Sequence, residues 1–271
     1  MFKINNLTYQ YDKTRKALDN VSMDFNKGNI IGIIGSNGSG KSTLFNNLMG
    51  ILKSTEGEIL YNGEQIKYDK KSLYNLRKEV GIVFQDPEKQ IFYSMVYDDI
   101  AFALRNIGID EKTIKERIHT ALEAVNGLQF IDRPVHNLSF GQKKRVAIAS
   151  VVAMENKLVL LDEPTAGLDP ISTRAIVDII KGLNKRGVKI VISSHDMNLI
   201  YEICDYVYVL NQGVLINEGT RAEVFVNEEK INEAGLELPW LVKLHKNMGL
   251  PLFPKEEDLY SFWNKQAQKT V

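Results

Sequence analysis

A glycine-rich stretch near the N-terminus has the residue types and the spacing that phosphate binding requires. It follows the pattern G-x-x-x-x-G-K-S/T and consists of Gly35, Ser36, Asn37, Gly38, Ser39, Gly40, Lys41, Ser42 and Thr43. The backbone N–H groups of such a loop, together with the start of a following helix, form a site for anions. Lys41 can reach the β- and γ-phosphates, and the hydroxyl of Ser42 can ligate Mg²⁺. The stretch therefore predicts a nucleotide site.

Two adjacent acids, Asp162 and Glu163, follow the apolar run Leu158–Leu161. If that run is a buried strand, its end places both carboxylates at the sheet edge beside the phosphate loop. Asp162 can then hold Mg²⁺, and Glu163 can polarise a water for in-line attack on the γ-phosphate. A solvated strand end is the alternative interpretation of any Asp-Glu pair. The apolar run before the acids and the phosphate loop upstream favour the catalytic interpretation.

Short apolar runs and helical periodicity predict the elements that must position these residues. The phosphate loop lies between a predicted buried strand, Ile30–Ile34, and a predicted helix, Ser42–Met49. Further predicted strands are Gly81–Phe84, Leu158–Leu161 and Val188–Ile192, and further predicted helices are Arg145–Met154 and Ser172–Lys185. Helices that alternate with short apolar strands indicate the α/β class, with a mostly parallel sheet covered by helices on both faces.

Turn residues and capping residues organise the remaining segments. The N-terminal residues 1–27 are predicted to be β-rich, and two hairpins are predicted, with their turns at residues 62–63 and 211–213. A helix is predicted from Thr113 to Val125, opened by the capping pair Thr113 and Glu116. After about Gly235, prolines interrupt short apolar pieces, which indicates a small appendage.

Composition is that of an ordinary globular protein. The chain has 271 residues, of which 44% are hydrophobic and 25% charged, and its formal net charge is zero. Nothing in this balance indicates a nucleic-acid partner. Cys204 is the only cysteine, so no internal disulfide can form, and its apolar neighbours predict a buried structural thiol. Without a long uncharged apolar run, we expect no transmembrane helix and a peripheral role at any membrane.

The signature segment, Leu138–Gln142, reads Leu-Ser-Phe-Gly-Gln and resembles the Leu-Ser-Gly-Gly-Gln signature of ATP-binding-cassette (ABC) ATPases. The resemblance implies that Ser139, Gly141 and Gln142 act on the ATP held by a second subunit, so that two ATP molecules lie between two subunits. Phe140 departs from the family glycine and is expected to affect only how closely the backbone approaches the phosphate there. With one copy of each motif, the chain must pair with itself or with a close relative.

Other family elements follow in the expected order. Gln85 resembles the glutamine that senses Mg²⁺ and the coupling partner, and residues 166–169 resemble the loop that crosses the dimer interface. His195 resembles the switch histidine that contacts the γ-phosphate, whereas alone it would be interpreted as a satisfied strand-end histidine. The implied fold is α/β: a RecA-like phosphate-loop core with an antiparallel β subdomain, an inserted α-helical subdomain and a small C-terminal appendage.

Tyr11 matches the aromatic residue that stacks on adenine, with Tyr9 and Phe2 as alternatives. The resemblance implies ATP and Mg²⁺ as cofactors. It implies Glu163, His195 and Gln85 as catalytic residues, and Ser42, Gln85 and Asp162 as the residues that hold Mg²⁺.

The docking segment, residues 85–92, reads Gln-Asp-Pro-Glu-Lys-Gln-Ile-Phe and resembles a segment of energy-coupling-factor transporter ATPases. There, a short helix lines the groove that grips the coupling helices of the membrane subunit. We expect Gln85, Gln90, Ile91 and Phe92 to form such a groove; a capped helix start with core aromatics is the alternative. Together with the variant signature, shared with some cobalt-type importer ATPases, the segment implies an ATP-hydrolysing subunit that powers uptake of cobalt or nickel ions.

The resemblance also implies partners and location. Expected partners are a second ATPase subunit (an identical chain or a paralogue), an integral membrane coupling subunit and a substrate-binding membrane subunit, and no nucleic acid. The chain would lie peripherally at the cytoplasmic face of the cell membrane. Residues 1–235 are expected to form the ATP-binding domain, with the helical subdomain inserted at about 90–150. Residues 236–271 are expected to form a C-terminal extension that can serve in dimerisation.

Three other functions remain open at this point. The chain can be the ATPase of an energy-coupling-factor vitamin importer, or of a different importer or an exporter, although the docking segment argues against an exporter. The docking segment argues equally against the different importer type. The chain can also be a cassette ATPase that acts on DNA or ribosomes. Such proteins carry a long coiled coil or a second cassette, and the sequence has neither.

Overall fold

Two β-sheets form the frame of the computed structural model, which describes residues 1–12 and 15–267. Their strands, in chain order, are β1 (Phe2–Gln10), β2 (Lys16–Asp24), β3 (Ile30–Ile34), β4 (Glu56–Tyr61), β5 (Glu64–Gln65), β6 (Val80–Val83), β7 (Leu158–Asp162), β8 (Lys189–Ser194), β9 (Tyr206–Asn211) and β10 (Val214–Thr220). The smaller sheet is antiparallel in the order β2-β1-β4-β5, and the larger has the order β10-β9-β3-β8-β7-β6.

Helices occupy most of the chain between and after the strands. They are α1 (Lys41–Leu48), α2 (Lys70–Glu79), α3 (Val96–Asn106), α4 (Glu111–Ala124), α5 (Phe140–Ala153), α6 (Pro170–Lys185), α7 (Met197–Ile203), α8 (Arg221–Val226), α9 (Glu228–Glu233), α10 (Trp240–Met248) and α11 (Glu256–Ala267). Short 3₁₀ turns lie at Pro87–Lys89, Leu128–Phe130 and Val135–Asn137.

The larger sheet confirms the predicted α/β class. Strands β9, β3, β8, β7 and β6 run parallel, and β10 joins the edge antiparallel to β9. Strands β3, β6, β7 and β8 fall on the four predicted apolar runs. Because parallel strands point the same way, their carboxyl ends share one edge of the sheet, where ligands bind in folds of this class. The phosphate loop, Gln85, Glu163 and His195 all follow these strand ends.

Alternating side chains of β3 belong to two different apolar clusters. Ile31 and Ile33 pack with Leu44 of α1 and with the smaller sheet, whereas Ile30 and Ile34 pack among the helices of the opposite face. Burial of each such side chain contributes about 1.5–3 kcal/mol. Apolar packing on both faces therefore holds the central strand and the loop that follows it.

Both predicted hairpins are present, and their turns use left-handed backbone. Asn62 (φ 53°) and Gly63 (φ 85°) connect β4 to β5, and Gln212 (φ 47°) and Gly213 (φ 82°) connect β9 to β10. Two successive residues at positive φ match the right-handed twist of the flanking strands. The predicted burial of Cys204 is also confirmed.

In the segment between β6 and β7, one helix was missed and two predicted helix starts need correction. Helix α3 was not predicted, because Asp99 interrupts its apolar face. The predicted capping pair Thr113 and Glu116 was wrong: α4 begins at Glu111, and the Asp110 carboxylate accepts hydrogen bonds from Thr113 N (3.0 Å) and Oγ (2.7 Å). Asp is a stronger N-cap because its short side chain reaches the free N–H groups. Helix α5 begins at Phe140, five residues before the predicted start.

The segment after residue 235 contains α10 and α11, and both α10 and the connection between the two helices bond to α7. The Trp240 N–H donates to Asn198 Oδ1 (2.9 Å), and the Tyr201 hydroxyl donates to the Phe253 carbonyl (3.0 Å). The last four residues of the predicted C-terminal extension, 268–271, lie outside the described residues. Within the described ranges, no helix combines the length and the hydrophobicity that crossing a membrane requires.

Candidate active site

The phosphate loop connects β3 to α1 in a conformation that glycine permits. Gly40 precedes the helix at φ 108°, and a Cβ there would lie 2.6 Å from the Ala17 carbonyl oxygen. A side chain is therefore excluded both by backbone strain and by space. The Lys41 ammonium donates to the carbonyls of Gly35 (2.7 Å) and Ser36 (3.2 Å), so it lies folded over the loop.

An open cavity of about 610 Å³ covers this loop. Its lining brings together the phosphate loop, the two catalytic candidates Gln85 and Glu163, and residues from the β1–β2 connection and the β9–β10 turn. The lining residues are Tyr11, Asp12, Arg15, Lys16, Ala17, Asn37, Gly38, Ser39, Gly40, Lys41, Ser42, Thr43, Gln85, Glu163 and Gln212. Its volume lies within the range usual for small-molecule sites.

Asp162 and Glu163 are both buried at the end of β7. The Ser193 hydroxyl donates to Asp162 Oδ1 (2.5 Å) and accepts from the Glu163 N–H (3.0 Å). Glu163 has a positive φ of 47°, which interrupts the strand geometry. Ser193 on the neighbouring strand therefore holds the pair of acids together.

The Glu163 carboxylate lies between a cation and an imidazole. Its Oε2 is 2.8 Å from His195 Nδ1, and its Oε1 is 3.6 Å from Lys41 Nζ. Oε1 is buried and has no hydrogen-bond partner within the described part of the chain. A buried acceptor without a partner costs about 1–3 kcal/mol, so this oxygen is suited to a water molecule or another ligand.

Of the three aromatic candidates for adenine stacking, Tyr11 is the one that lines the cavity. It is 63% exposed, and its hydroxyl lies 3.1 Å from Thr43 Oγ1. Tyr9 packs edge-on against it with 5.0 Å between ring centroids. Phe2 is fully buried in the core and has no surface to offer a ligand.

The signature segment starts helix α5 and lies away from this cavity. The Gln142 N–H donates to Ser139 Oγ (3.3 Å), and the Ser139 N–H donates to Gln142 Oε1 (2.9 Å), so the two form a capping box. In the described structure, the cavity lining includes none of Ser139, Gly141 and Gln142. One chain therefore brings the phosphate loop, Gln85, Glu163 and His195 together and leaves the signature residues free of them.

The docking segment leads from the cavity to an exposed apolar surface. Phe92 is 79% exposed, whereas Ile91 packs partly against the core. A hollow of about 370 Å³ beside them is lined by Glu88, Ile91, Phe92, Tyr93, Ser94, Val135, His136 and Lys143. The prediction that Gln90 belongs to the groove was wrong, because its amide points inward. Its Oε1 accepts from the Phe84 N–H (3.1 Å), and its Nε2 donates to the Ala147 carbonyl (3.2 Å).

Sequence reasoning missed two buried residues that organise the site, Ser193 and Lys144. Ser193 bridges the two acids, and the Lys144 ammonium contacts the carbonyl groups that follow them. Ser193 follows a predicted strand and stands two residues before His195, which is the one sequence signal available. Lys144 lies within the charged run 143–145, which resembles a solvated helix face.

The sequence matches the family described as ABC transporter over residues 18–166. A putative ABC transporter ATP-binding protein of Listeria monocytogenes is 51% identical, over 98% of this chain and 99% of its own length. The cobalt import ATP-binding protein CbiO of Salmonella typhimurium is 45% identical over 98% of each chain. The energy-coupling factor transporter ATP-binding protein EcfA of Methanocaldococcus jannaschii is 45% identical, over 88% of this chain and 85% of its own length.

Solved structures show the same similarity. The structure of cbiO1 from Clostridium perfringens, described as part of the ABC transporter complex cbiONQ, is 41% identical with a TM-score of 0.78, over 90% of this chain and 98% of that one. An ATP-binding cassette solved as a dimer in a post-hydrolysis state, with ADP and phosphate, is 28% identical with a TM-score of 0.74. The match covers 82% of this chain and 99% of that cassette.

Proposed function

The chain belongs to the ABC transporter family of ATP-binding proteins, and on that premise we propose that it is the ATP-hydrolysing subunit of an energy-coupling-factor importer. As a member of this family it binds and hydrolyses ATP. The proposed cargo is cobalt or nickel ions, carried across the cytoplasmic membrane. The cobalt-import and energy-coupling-factor functions in the names of its relatives support this cargo and this transporter type.

The residues around the cavity fit a nucleotide with Mg²⁺. Two buried oxygens at this site, Glu163 Oε1 and Ser39 Oγ, have no hydrogen-bond partner among the described residues, and Ser42 and Gln85 line the cavity. When bound, Mg²⁺ neutralises charge on the β- and γ-phosphates. We propose that Ser42, Gln85 and Asp162 hold this ion, that residues 35–43 hold the phosphates, and that Tyr11 stacks on adenine.

The hydrolytic step rests on Glu163. Its Oε2 is occupied by His195, whereas Oε1 is free to accept the proton of an attacking water. To reach the phosphates, Lys41 must release the carbonyls of Gly35 and Ser36. This movement also brings its positive charge towards the ADP that leaves. His195 then has its second ring nitrogen available for the γ-phosphate. Glu163, His195 and Gln85 form the proposed catalytic set.

A second subunit completes the proposed site. The signature residues Ser139, Gly141 and Gln142 do not reach the cavity of their own chain, which fits a role on the ATP held by the partner. We propose an ATPase dimer, of identical chains or with a paralogue, in which residues 1–235 form the ATP-binding domain with the helical insertion at about 90–150. Residues 236–271 are the proposed additional dimerisation element.

The observation that carries the importer proposal is the docking segment. It begins with Gln85 in the nucleotide cavity and ends with Phe92 exposed beside an apolar hollow. We propose that a helix of an integral membrane coupling subunit packs there, and that a separate membrane subunit binds the ion. The chain would then lie peripherally at the cytoplasmic face of the membrane.

Phe92→Asp tests this proposal, with Tyr74→Asp as the matched control. Tyr74 is a half-exposed aromatic residue on α2, outside the docking segment. We expect Phe92→Asp to abolish co-purification with the membrane subunits and cobalt uptake by cells, because a charge would be buried against an apolar helix. ATP binding by the purified variant should stay within about twofold, since the phosphate loop is untouched.

Two outcomes would contradict the proposal in different ways. Full uptake and co-purification by the Phe92→Asp variant would remove the docking segment from the interface. A complex that imports a vitamin but neither cobalt nor nickel would retain the ATPase and transporter assignment and reject the metal cargo.

A further inference from the structure

Lys144 is a fully buried lysine in the first turns of α5 that the reaction described above does not use. Only 1% of the residue is exposed. Its ammonium donates to three backbone carbonyls, those of Glu163 (2.9 Å), Pro164 (3.0 Å) and Ala166 (2.9 Å). These acceptors all belong to the acid loop, defined here as residues 163–167. Every N–H of the ammonium therefore binds the loop that starts with the catalytic acid.

Nearby carboxylates favour the charged form of this buried ammonium. Burial lowers the pKa of Lys144 to about 8, while the carboxylates of Glu163, Asp162 and Asp86 favour its charged form. Hydrogen bonds from a charged donor are about twice as strong as those between neutral groups. Three such bonds from a single nitrogen constrain the backbone of four consecutive residues, 163–166, including the residue that carries the general base.

The side chain of Phe140 packs over the contact between the Lys144 ammonium and the acid loop. The Lys144 ammonium lies 5.3 Å from the centroid of the Phe140 ring, one helical turn away. A Cβ built on Gly167, whose φ is 76°, would lie 3.4 Å from that ring. Phe140 therefore packs over the acid loop and offers a π-face to the cation. The residue that departs from the family signature has a structural partner within its own chain.

We propose that Lys144 is a positioning residue that couples the signature segment to the catalytic acid of the same subunit. The inference rests on the proposed function. In the proposed dimer, the signature segment acts on the partner's ATP, whereas Glu163 acts on the ATP of its own subunit. A displacement of α5 on closure is transmitted through Lys144 to the acid loop. The ammonium thus connects the two nucleotide sites through one subunit. The Phe140 ring, which packs against the ammonium, keeps it positioned on the acid loop.

Lys144→Met removes the ammonium and keeps the length of the side chain. We expect kcat for ATP hydrolysis to fall roughly 10- to 100-fold, because a displacement of about 1 Å is enough for such a loss. The Kd for ATP of the isolated subunit should stay within about twofold, since the phosphate loop is unaffected. Lys189→Met is the matched control. Lys189 is a half-buried lysine that likewise donates to a backbone carbonyl, that of Phe25, and its loss should leave kcat unchanged.

Phe140→Leu provides a second test that does not depend on the stability of the Lys144→Met protein. It should lower kcat by about two- to fivefold, the value of a cation–π contact of 0.5–1 kcal/mol. In the Lys144→Met background the same change should have no further effect, because coupled residues are not additive.

The outcomes separate this inference from the proposed function. Wild-type kcat in Lys144→Met, or a rise in the Kd for ATP that matches the fall in kcat, would overturn the positioning role. If Phe140→Leu lowers kcat equally in the wild-type and Lys144→Met backgrounds, the Phe140 ring does not act through Lys144. A wild-type protein without ATPase activity would instead overturn the proposed function, which the same assay measures first.

Discussion

At the scale of single residues, the position of Glu163 is determined by contacts from several distant segments. His195 and Lys41 flank its carboxylate, the Ser193 hydroxyl accepts its N–H, and the Lys144 ammonium binds its carbonyl. A non-glycine residue at positive φ is uncommon, and it persists where the surroundings determine it. Both the backbone and the side chain of this acid are therefore preorganised before ATP arrives.

Glu163→Gln should abolish turnover while ATP binding is retained. The amide keeps the shape of the side chain and an acceptor for His195, but it cannot take a proton from water. Loss of a positioned base costs about 10²- to 10⁴-fold in kcat. Steady-state ATPase assays and nucleotide titrations measure the two quantities. Glu237→Gln, at an exposed acid that pairs with Lys243, is the control. Near-normal turnover in Glu163→Gln would remove this residue from the role of base.

At the scale of elements, α5 and α3 connect the docking segment to the chemistry. On α5, Lys143 pairs with Glu88 (2.5 Å), one residue before the lysine that binds the acid loop. Adjacent residues on a helix point in different directions, so one turn of α5 contacts both functional segments. On α3, the buried Asp99 accepts from the N–H groups of Phe92 (2.8 Å) and Tyr93 (3.1 Å). This carboxylate fixes the exposed end of the docking segment.

Asp99→Ala should loosen the docking segment, whereas Asp99→Asn should preserve it. Alanine leaves two backbone N–H groups without their acceptor, at a cost of about 1–3 kcal/mol, and the asparagine oxygen can still accept them. We expect only Asp99→Ala to reduce co-purification with the membrane subunits and to speed proteolysis near Phe92. Equal co-purification by the two variants would show that Asp99 does not position the docking segment.

The stability of the same variants should depend on pH in a defined direction. Burial raises the pKa of Asp99, against the opposing effect of the two N–H bonds. The folded chain therefore holds this proton more strongly than the unfolded chain, so protonation stabilises the fold. Unfolding free energy of the wild type relative to Asp99→Asn should rise as the pH falls from about 7 to about 4. If denaturant titrations show that this difference in unfolding free energy stays constant or decreases as the pH falls, the raised pKa of Asp99 is contradicted.

At the scale of the whole molecule, the proposed active site is divided between two chains. The cavity contains the phosphate loop and Glu163, and the signature segment starts a helix elsewhere on the surface. A closed site therefore needs a second subunit turned so that its signature segment meets this cavity. A two-fold arrangement forms two equivalent sites from one self-complementary surface. The family resemblance implied this arrangement, and the distribution of residues in the fold agrees with it.

ATP should drive dimerisation when hydrolysis is blocked. We expect Glu163→Gln to run as a dimer in size exclusion with ATP and as a monomer with ADP, because only ATP supplies the γ-phosphate that the signature segment is proposed to bind. Adding Ser139→Arg should abolish the dimer by steric exclusion while ATP binding by the monomer persists. An ATP-dependent dimer that survives Ser139→Arg would contradict a shared site. A dimer that forms equally with ADP would contradict ATP-driven dimerisation and assign the contact to the C-terminal element, residues 236–271.

The sequence alone determined those features whose parts are adjacent in the chain. The phosphate loop, the two acids, the signature segment and the buried strands of the larger sheet are contiguous, so their residue types and spacing predicted fold class and family. Both hairpins were predictable for the same reason, since their turns use neighbouring residues with positive φ. The prediction of the start of α4 failed because Asp110 and Thr113 are both suitable N-cap residues. Which of two neighbouring candidates caps the helix depends on the geometry of the preceding turn.

Only the tertiary structure decided which distant residues meet. Lys144 resembles a solvated lysine in the chain, yet folding buries it against carbonyl groups about 20 residues away. Gln90 resembles a docking residue, yet its amide satisfies the backbone of Phe84 and Ala147. Ser193 reaches Asp162 and Glu163 because β7 and β8 are neighbours in the sheet. Such contacts depend on strand order and helix packing, and buried polar groups take whatever partner the fold brings within hydrogen-bond distance.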